Sequence, residues 1–553
     1  MKKIQAVGFL LPFLLAVVLG AHRLAFAQSD YSQAWVAPTW SNALDSPILT
    51  TILNGQVPAT IPQSVVVSDP TGQIGSYQPG GATATSTNAF FSSTLGTNKR
   101  TCFTCHQPQN GWALSPQSVV FVYQSTNGQD ALFQPVDGAN CPNLGAASPR
   151  PGSAFLAARS QLFNKANIRI FLPIPAIHDW ASLTIVRDPF GCETNKTYGV
   201  PAGFLSMYRR PLPSANVFFL DPAGDPPIGP FAFLAAFSPE HTGSSIMWDS
   251  REPDLGTQFQ DAVKIHAQGT PDQIAALTSG AVPDAVQQGV SFQQGIFTAQ
   301  SFDNRGGDLT GGDGSGATGG PATLASLSCA DITSCLPVAP TFILPVPEFS
   351  LYPSTFSSFG TSSQESQRAS ILRGAAIFNG GVSFTVNGVS GFNDVLGPNF
   401  KATCNTCHSV QNVGNNFVLP PLHTGIGDNS YLSPLQKPAG GNPVLPPTPD
   451  LPLFGFLCPV GSIPFFSNPV TVNGQHYDLF QTTDPGAGLI SGKCADLGKM
   501  KTPVLRGLAS RAPYFHGGNA ATLQDLVNFY NKRFSIGLTI QQQNDLVNFL
   551  NTL

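Results

Sequence analysis

The sequence predicts a mainly α protein with long loops, divided into two domains, and three observations carry that expectation. A Cys-x-x-Cys-His run is written twice, as Cys102-Phe103-Thr104-Cys105-His106 and as Cys404-Asn405-Thr406-Cys407-His408. Further along the chain from each run, apolar residues recur at helical spacing. The 553 residues include 55 Gly and 49 Pro but only 10% charged residues, a balance that favours ordered loops over charged bundles or tails.

Each Cys-x-x-Cys-His run has the chemistry of a c-type haem attachment site. Two thiols three positions apart reach the two vinyl groups of one porphyrin, and the adjacent imidazole then lies under the iron. Two covalent haem c groups are therefore expected, on Cys102 and Cys105 and on Cys404 and Cys407, with His106 and His408 as proximal iron ligands. A Cys-x-x-Cys pair is also half of a zinc site. Zinc requires further ligands at matching spacing, and it leaves the histidine after each pair as coincidence twice.

Residues 1–27 read as a secretory signal peptide. Lys2 and Lys3 precede an apolar run from about Ala6 to Leu19, and Ala25-Phe26-Ala27 supplies the small residues of a cleavage site before Gln28. A retained anchor is the alternative, but the run is short for a spanning helix. A periplasmic or secreted protein without stable membrane insertion is expected. The formal charge of −4 comes with no basic patch, which argues against nucleic acid as a partner.

Of the ten cysteines, four are assigned to haem, leaving Cys141, Cys192, Cys329, Cys335, Cys458 and Cys494. An even remainder in an exported chain suggests structural disulfides, although spacing leaves the connectivity open. Neighbours in sequence are the expected partners: Cys141 with Cys192, Cys329 with Cys335, and Cys458 with Cys494.

In chain order, residues 28–95 are rich in Ser, Thr, Gly and Pro without helical period and read as an extended N-terminal arm. A first haem domain follows over 96–350, loop-rich through about Pro239, with Trp112, His178, Trp180 and the Pro-studded run Arg209-Arg210-Pro211-Leu212-Pro213-Ser214-Ala215-Asn216. A helix begins near Pro253, with Leu255, Phe259, Ala262 and His266 on one face. The glycine-dense tract Gly306 to Gly320 holds Asp308 and Asp313, for which a surface loop is a simpler reading than calcium. A second haem domain occupies 351–553. Its first helix opens at Ser363-Gln364-Glu365-Ser366-Gln367-Arg368 and ends at Gly380-Gly381. Beyond the second haem run the chain is mostly loop until a helix with the stripe Leu523, Leu526, Val527 and Tyr530. Leu546, Val547, Phe549 and Leu550 mark a last helix.

The two halves repeat beyond their haem runs. Aligning Ile246-Met247-Trp248-Asp249-Ser250 with Tyr514-Phe515-His516-Gly517-Gly518 places Leu255 on Leu523, each at the start of an apolar-periodic helix, as two copies of a small cytochrome c-like unit would. The same alignment sets Ala262 against Tyr530, a methyl where the other copy has a phenol.

Several of these segments carry a family likeness. Lys501-Thr502-Pro503-Val504-Leu505-Arg506, then Ala512-Pro513-Tyr514-Phe515-His516-Gly517-Gly518, together with Met247-Trp248-Asp249-Ser250-Arg251, resemble the bacterial di-haem cytochrome c peroxidases. Relatives of that family include the di-haem enzymes that mature tryptophan tryptophylquinone and, more distantly, the di-haem rubber oxygenases. The resemblance covers about 95–125, 205–300 and 365–553. It implies a peroxidatic first haem with an open sixth position and a second haem that relays electrons from a small redox protein to hydrogen peroxide. It places Trp248 between the haems and Gln258 in the distal pocket.

Three departures from the pattern matter, the first being that the family's proline after that glutamine is Ala262 here. The position of the family's distal glutamate is Gln268, which cannot be an acid–base carboxylate, so either His266 takes over as proton carrier or peroxide turnover is poor. The threonine of the family's inter-domain calcium site falls at Arg511, which leaves calcium doubtful. For the second iron the resemblance favours His408 and Tyr530 as the axial pair, with His516 and then Met500 as alternatives. Arg251 and Arg506 are candidate partners of haem propionates. Two other functions stay open: an oxygenase that binds dioxygen and an apolar substrate, and a non-enzymatic di-haem electron carrier.

Overall fold

The computed structural model describes residues 47–141, 152–195, 199–220, 246–278, 285–326, 362–408, 414, 420–429, 445 and 447–553. The expected signal peptide, the boundary near residue 350, His241, and Cys329 with Cys335 lie outside the described residues.

The helices read from the sequence are present, with the ends its capping residues dictate. Asp254 accepts from the Thr257 amide and opens Leu255–Ile265, which buries Leu255, Phe259 and Val263. Thr522 and Asp525 cap one another to start Leu523–Arg533, and Thr539 and Gln542 do the same for Ile540–Leu550. The helix Ser362–Ala376 passes into a terminal turn, Ile377–Gly381, whose Gly380 takes φ +132°. It crosses Ile540–Leu550 so closely that a Cβ on Gly374 would stand 2.0 Å from the Asp545 carbonyl oxygen. Ile371, Phe378, Leu523, Val527, Leu546 and Phe549 fill the core between these helices.

The chain is not mainly α. Helix accounts for 36% and strand for 20%, and the strands form five sheets among the described residues. Stretches expected to be loop pair with partners far away in sequence. Ser64–Ser68 alternates, with Val65 and Val67 inward and Val66 outward. It pairs with Gly72–Tyr77, which in turn pairs with Phe297–Asp303. Leu453–Pro459 pairs on one side with Gln475–Thr482 and on the other with Ser182–Arg187, so residues from both halves of the sequence share one sheet. Ile168–Pro173 pairs with Phe204–Arg209, and that hairpin-like ladder delivers Arg209 and Arg210 to the centre of the molecule.

Two disulfides join expected neighbours, Cys141–Cys192 and Cys458–Cys494. No described helix is long and apolar enough to cross a membrane.

The internal repeat is visible in the backbone. Bridges Ile246–Glu252 and Tyr514–Ala520 close equivalent loops just before the two capped helices. Met247 and Phe515 both take positive φ, +73° and +67°, as do Ser250 and Gly518, +59° and +69°. Four non-helical positions thus agree at one constant offset, a stronger sign of duplication than the few identities in the sequence.

Candidate functional site

Both Cys-x-x-Cys-His runs are single turns held by the same device. Thr101 and Thr104 bond reciprocally around Cys102–Thr104, and Thr403 and Thr406 do so around Cys404–Cys407. The histidine after each turn is fixed by a carbonyl six residues on. His106 Nδ1 lies 3.0 Å from the Trp112 carbonyl oxygen, and His408 Nδ1 lies 2.6 Å from that of Gly414. With the proton on Nδ1 donated there, Nε2 is the nitrogen left to bind a metal. All four cysteines are unbridged. Burial pushes their thiols up to about 12 and pulls both imidazoles down to about 4, so these thiols and imidazoles are neutral.

Each run opens on its own cavity. Two free thiols, an imidazole with its Nε2 available, and a mainly apolar chamber beside them fit a covalently attached haem. The set does not fit zinc, because no group of three or more His, Cys, Asp or Glu converges among the described residues.

Gln258, Phe259, Ala262 and His266 of the helix Leu255–Ile265 and its C-cap line the first cavity. His266 Nδ1 lies 2.8 Å from Asp137 Oδ2, and Arg100 Nη1 is 3.0 Å from the same oxygen. Burial favours the neutral acid at Asp137, but His266 and Arg100 together hold its carboxyl below the ordinary value. Asp137 was not legible beforehand, because it lies 129 residues from its partner. Gln268 is exposed beyond the helix end and is not part of the cavity wall.

Leu526, Val527, Tyr530 and Phe534 hold the matching positions in the second cavity. Tyr530 stacks on Phe534 at 6.0 Å and 14°. Burial, then the nearby Cys407 and Cys404 thiols, raises its phenol above the usual range. His516 and Met500 line the same cavity. His516 is 2% exposed, its Nε2 has no hydrogen-bond partner among the described residues, and burial pulls it to about 4 against the pull of Asp484, whose Oδ2 is 3.9 Å away.

Arg251 lines the first cavity but is already paired with Asp249 at 2.9 Å and Glu252 at 3.5 Å. Arg506 is buried but does not line the second cavity, where Lys501 and Arg511 supply the cationic side chains with Arg210. Asp313, in the glycine-dense tract, is 3.0 Å from Arg368, a cation already in place. His178 stacks on Trp180 and His423 pairs with Asp428, both bonded within the fold.

Arg210, Pro211, Leu212 and Trp248 line both cavities and form their common wall. The Trp248 indole Nε1 donates to the Arg210 carbonyl at 2.8 Å. Behind this wall Arg209 is clasped between Asp249 and Asp484 at 2.5 and 2.6 Å, all three side chains buried.

No protein-family model matches the chain. A segment is 41% identical over 69 residues to the cytochrome-c peroxidase IdrP1 of Denitromonas iodatirespirans, covering 10% of this chain and 18% of that protein. Cytochrome-c peroxidase IdrP2 from the same organism is 40% identical over 78 residues, and its namesake in Pseudomonas sp. (strain SCT) 41% over 78 residues, each covering 13% of this chain and 21% of the relative. The matched segment thus spans about a fifth of the curated relatives. Among solved structures, a MauG-like protein associated with microbial copper homeostasis aligns over 84% of this chain and 87% of its own, at 12% identity and TM-score 0.28, too low to carry an argument.

Proposed function

We propose that this chain is an exported di-haem c-type oxidoreductase of the cytochrome c peroxidase type, which reduces hydrogen peroxide at the first site with electrons relayed through the second from a small redox protein. The observation that carries this reading is the pairing of two mainly apolar Cys-x-x-Cys-His cavities across one shared wall that contains an indole. The short similarity to cytochrome-c peroxidases supports the same class.

Cys102, Cys105 and His106 would hold one haem and Cys404, Cys407 and His408 the other, and the bound irons would supply the redox chemistry. The chain's own contribution at the first site is to orient and protonate. Reduction of a peroxide to two waters consumes two electrons and two protons. His266, with Nδ1 engaged by Asp137, is placed to carry a proton at Nε2, and the Gln258 carboxamide can orient the substrate without titrating. Ala262 cannot coordinate a metal, which favours an open first site over a carrier closed by protein ligands at both. Tyr530, which lines the second cavity, would be the residue that helps His408 hold the metal there. Trp248 is the favoured bridge for electrons between the two.

The test is rapid mixing of the reduced, haem-loaded protein with hydrogen peroxide. The proposal expects oxidation of both haems in a two-electron stoichiometry, with carbon monoxide binding to the reduced first haem. A reduced protein inert to peroxide and to carbon monoxide is an electron carrier instead.

A further inference from the structure

We propose that Arg210 is a positioning residue for exchange between the two sites: a buried cation clamped by main-chain carbonyls from three segments, which fixes the shared wall and biases both cavities toward the reduced state. The inference rests on the two-haem reading and adds to it a residue that no motif assigned.

The guanidinium is held by carbonyls, not carboxylates. Its Nη2 donates to Leu114 O at 2.7 Å and to Arg511 O at 2.9 Å, and its Nη1 donates to Lys165 O. Leu114 follows Trp112, whose carbonyl orients His106; Lys165 ends the helix Ser160–Lys165; and Arg511 precedes Tyr514, in the wall of the second cavity. One side chain therefore ties the loop that aims the first histidine to a wall of the second cavity. Its main chain completes the joint. The Arg210 N–H donates to His516 O at 2.7 Å, and its carbonyl receives the Trp248 indole.

The contrast with Arg209 shows what is unusual. Arg209 sits between two carboxylates, and its charge is compensated. No carboxylate is bonded to Arg210 among the described residues, and burial, then the neighbouring cation Arg511, works against its charged form. Three carbonyl dipoles stabilise a guanidinium without neutralising it, so a positive charge persists in a wall common to both cavities, where water does not screen it. An electron added on either side of that wall is stabilised by it. Removing the charge should lower both potentials.

The test compares haem-loaded wild-type protein with Arg210→Met and Arg210→Lys by redox titration of both haems and by the rate of inter-haem equilibration after rapid mixing. Arg210→Met should shift both midpoints downward together and slow equilibration about tenfold or more. Arg210→Lys keeps the charge but not the three-way clamp, so it should leave the midpoints near wild type and still slow equilibration. Unshifted midpoints in an Arg210→Met protein that carries both haems overturn the electrostatic role, and unaltered exchange in Arg210→Lys overturns the clamp. If Arg210→Met does not fold, Arg210→Lys decides: a downward shift of both midpoints there, with the charge retained, overturns the proposal. A wild-type protein without two haems overturns the underlying reading and leaves the Arg210 contacts unaffected.

Discussion

The rings of Trp248 and His516 meet edge to face with centroids 6.1 Å apart, and both residues bond to the main chain of Arg210, one through its indole and the other through its carbonyl. The aromatic pair thus sits at the junction of the cavities, held by backbone on the side where the two sites meet.

That placement makes Trp248 the first residue to test. Trp248→Ala should retain both haems, because every attachment residue lies elsewhere, and should slow their equilibration after mixing with peroxide, while Trp248→Phe should slow it less. Unchanged exchange in Trp248→Ala would reduce the indole to packing.

The Asp137–His266 pair predicts a pH signature. His266→Ala should slow the peroxide reaction by about 10²- to 10⁴-fold, the usual size of a general acid–base contribution. Asp137→Asn should slow it too and alter its pH profile, because the imidazole loses the carboxylate that orients it. Asp137 has a native pKa below its ordinary 3.8. Its stabilising contribution is therefore complete above that value and is lost as pH falls through the lower native one. Acid unfolding of Asp137→Asn, followed by circular dichroism, should lack that component; an acid limb identical to wild type contradicts the pairing.

At the second site, Tyr530→Phe should change the visible and electron paramagnetic resonance spectra of one haem only. A bound phenol is a phenolate, which favours the ferric state. Burial opposes that ionisation, so the tyrosine would bind only where the metal's own charge offsets the cost. An unchanged spectrum in Tyr530→Phe, with a change in His516→Ala or Met500→Ala, would move the ligand to that residue.

The clasp behind the shared wall should be costly to break from one side. Arg209→Met leaves Asp249 and Asp484 buried without their common cation, and a loss of about 3–5 kcal/mol is expected. Thermal unfolding of the haem-loaded variant measures it, and a loss below about 1 kcal/mol, the scale of an exposed pair, contradicts the burial argument.

What was legible in the sequence was what is local. The attachment turns and the capped helices are each written within a few residues, and the offset that pairs Ala262 with Tyr530 comes from matching two such local patterns, which the structure repeats in its bridges and positive φ angles. The strands were missed because their partners are remote: Ser182–Arg187 meets Leu453–Pro459 across nearly half the chain. Apolar runs such as Leu453-Phe454-Gly455-Phe456-Leu457 have no period that separates strand from loop. Asp137 and the carbonyl clamp of Arg210 were hidden for the same reason, and a main-chain acceptor leaves no side-chain signature at all.

Intact-protein mass spectrometry of the chain purified from an exporting, haem-ligating host tests the central claim most directly. The wild-type mass should carry two covalent haems, both lost when Cys102, Cys105, Cys404 and Cys407 are all replaced by Ala, and one lost when either pair is replaced alone. A wild-type mass with no haem, or with haem that survives the quadruple replacement, would contradict it.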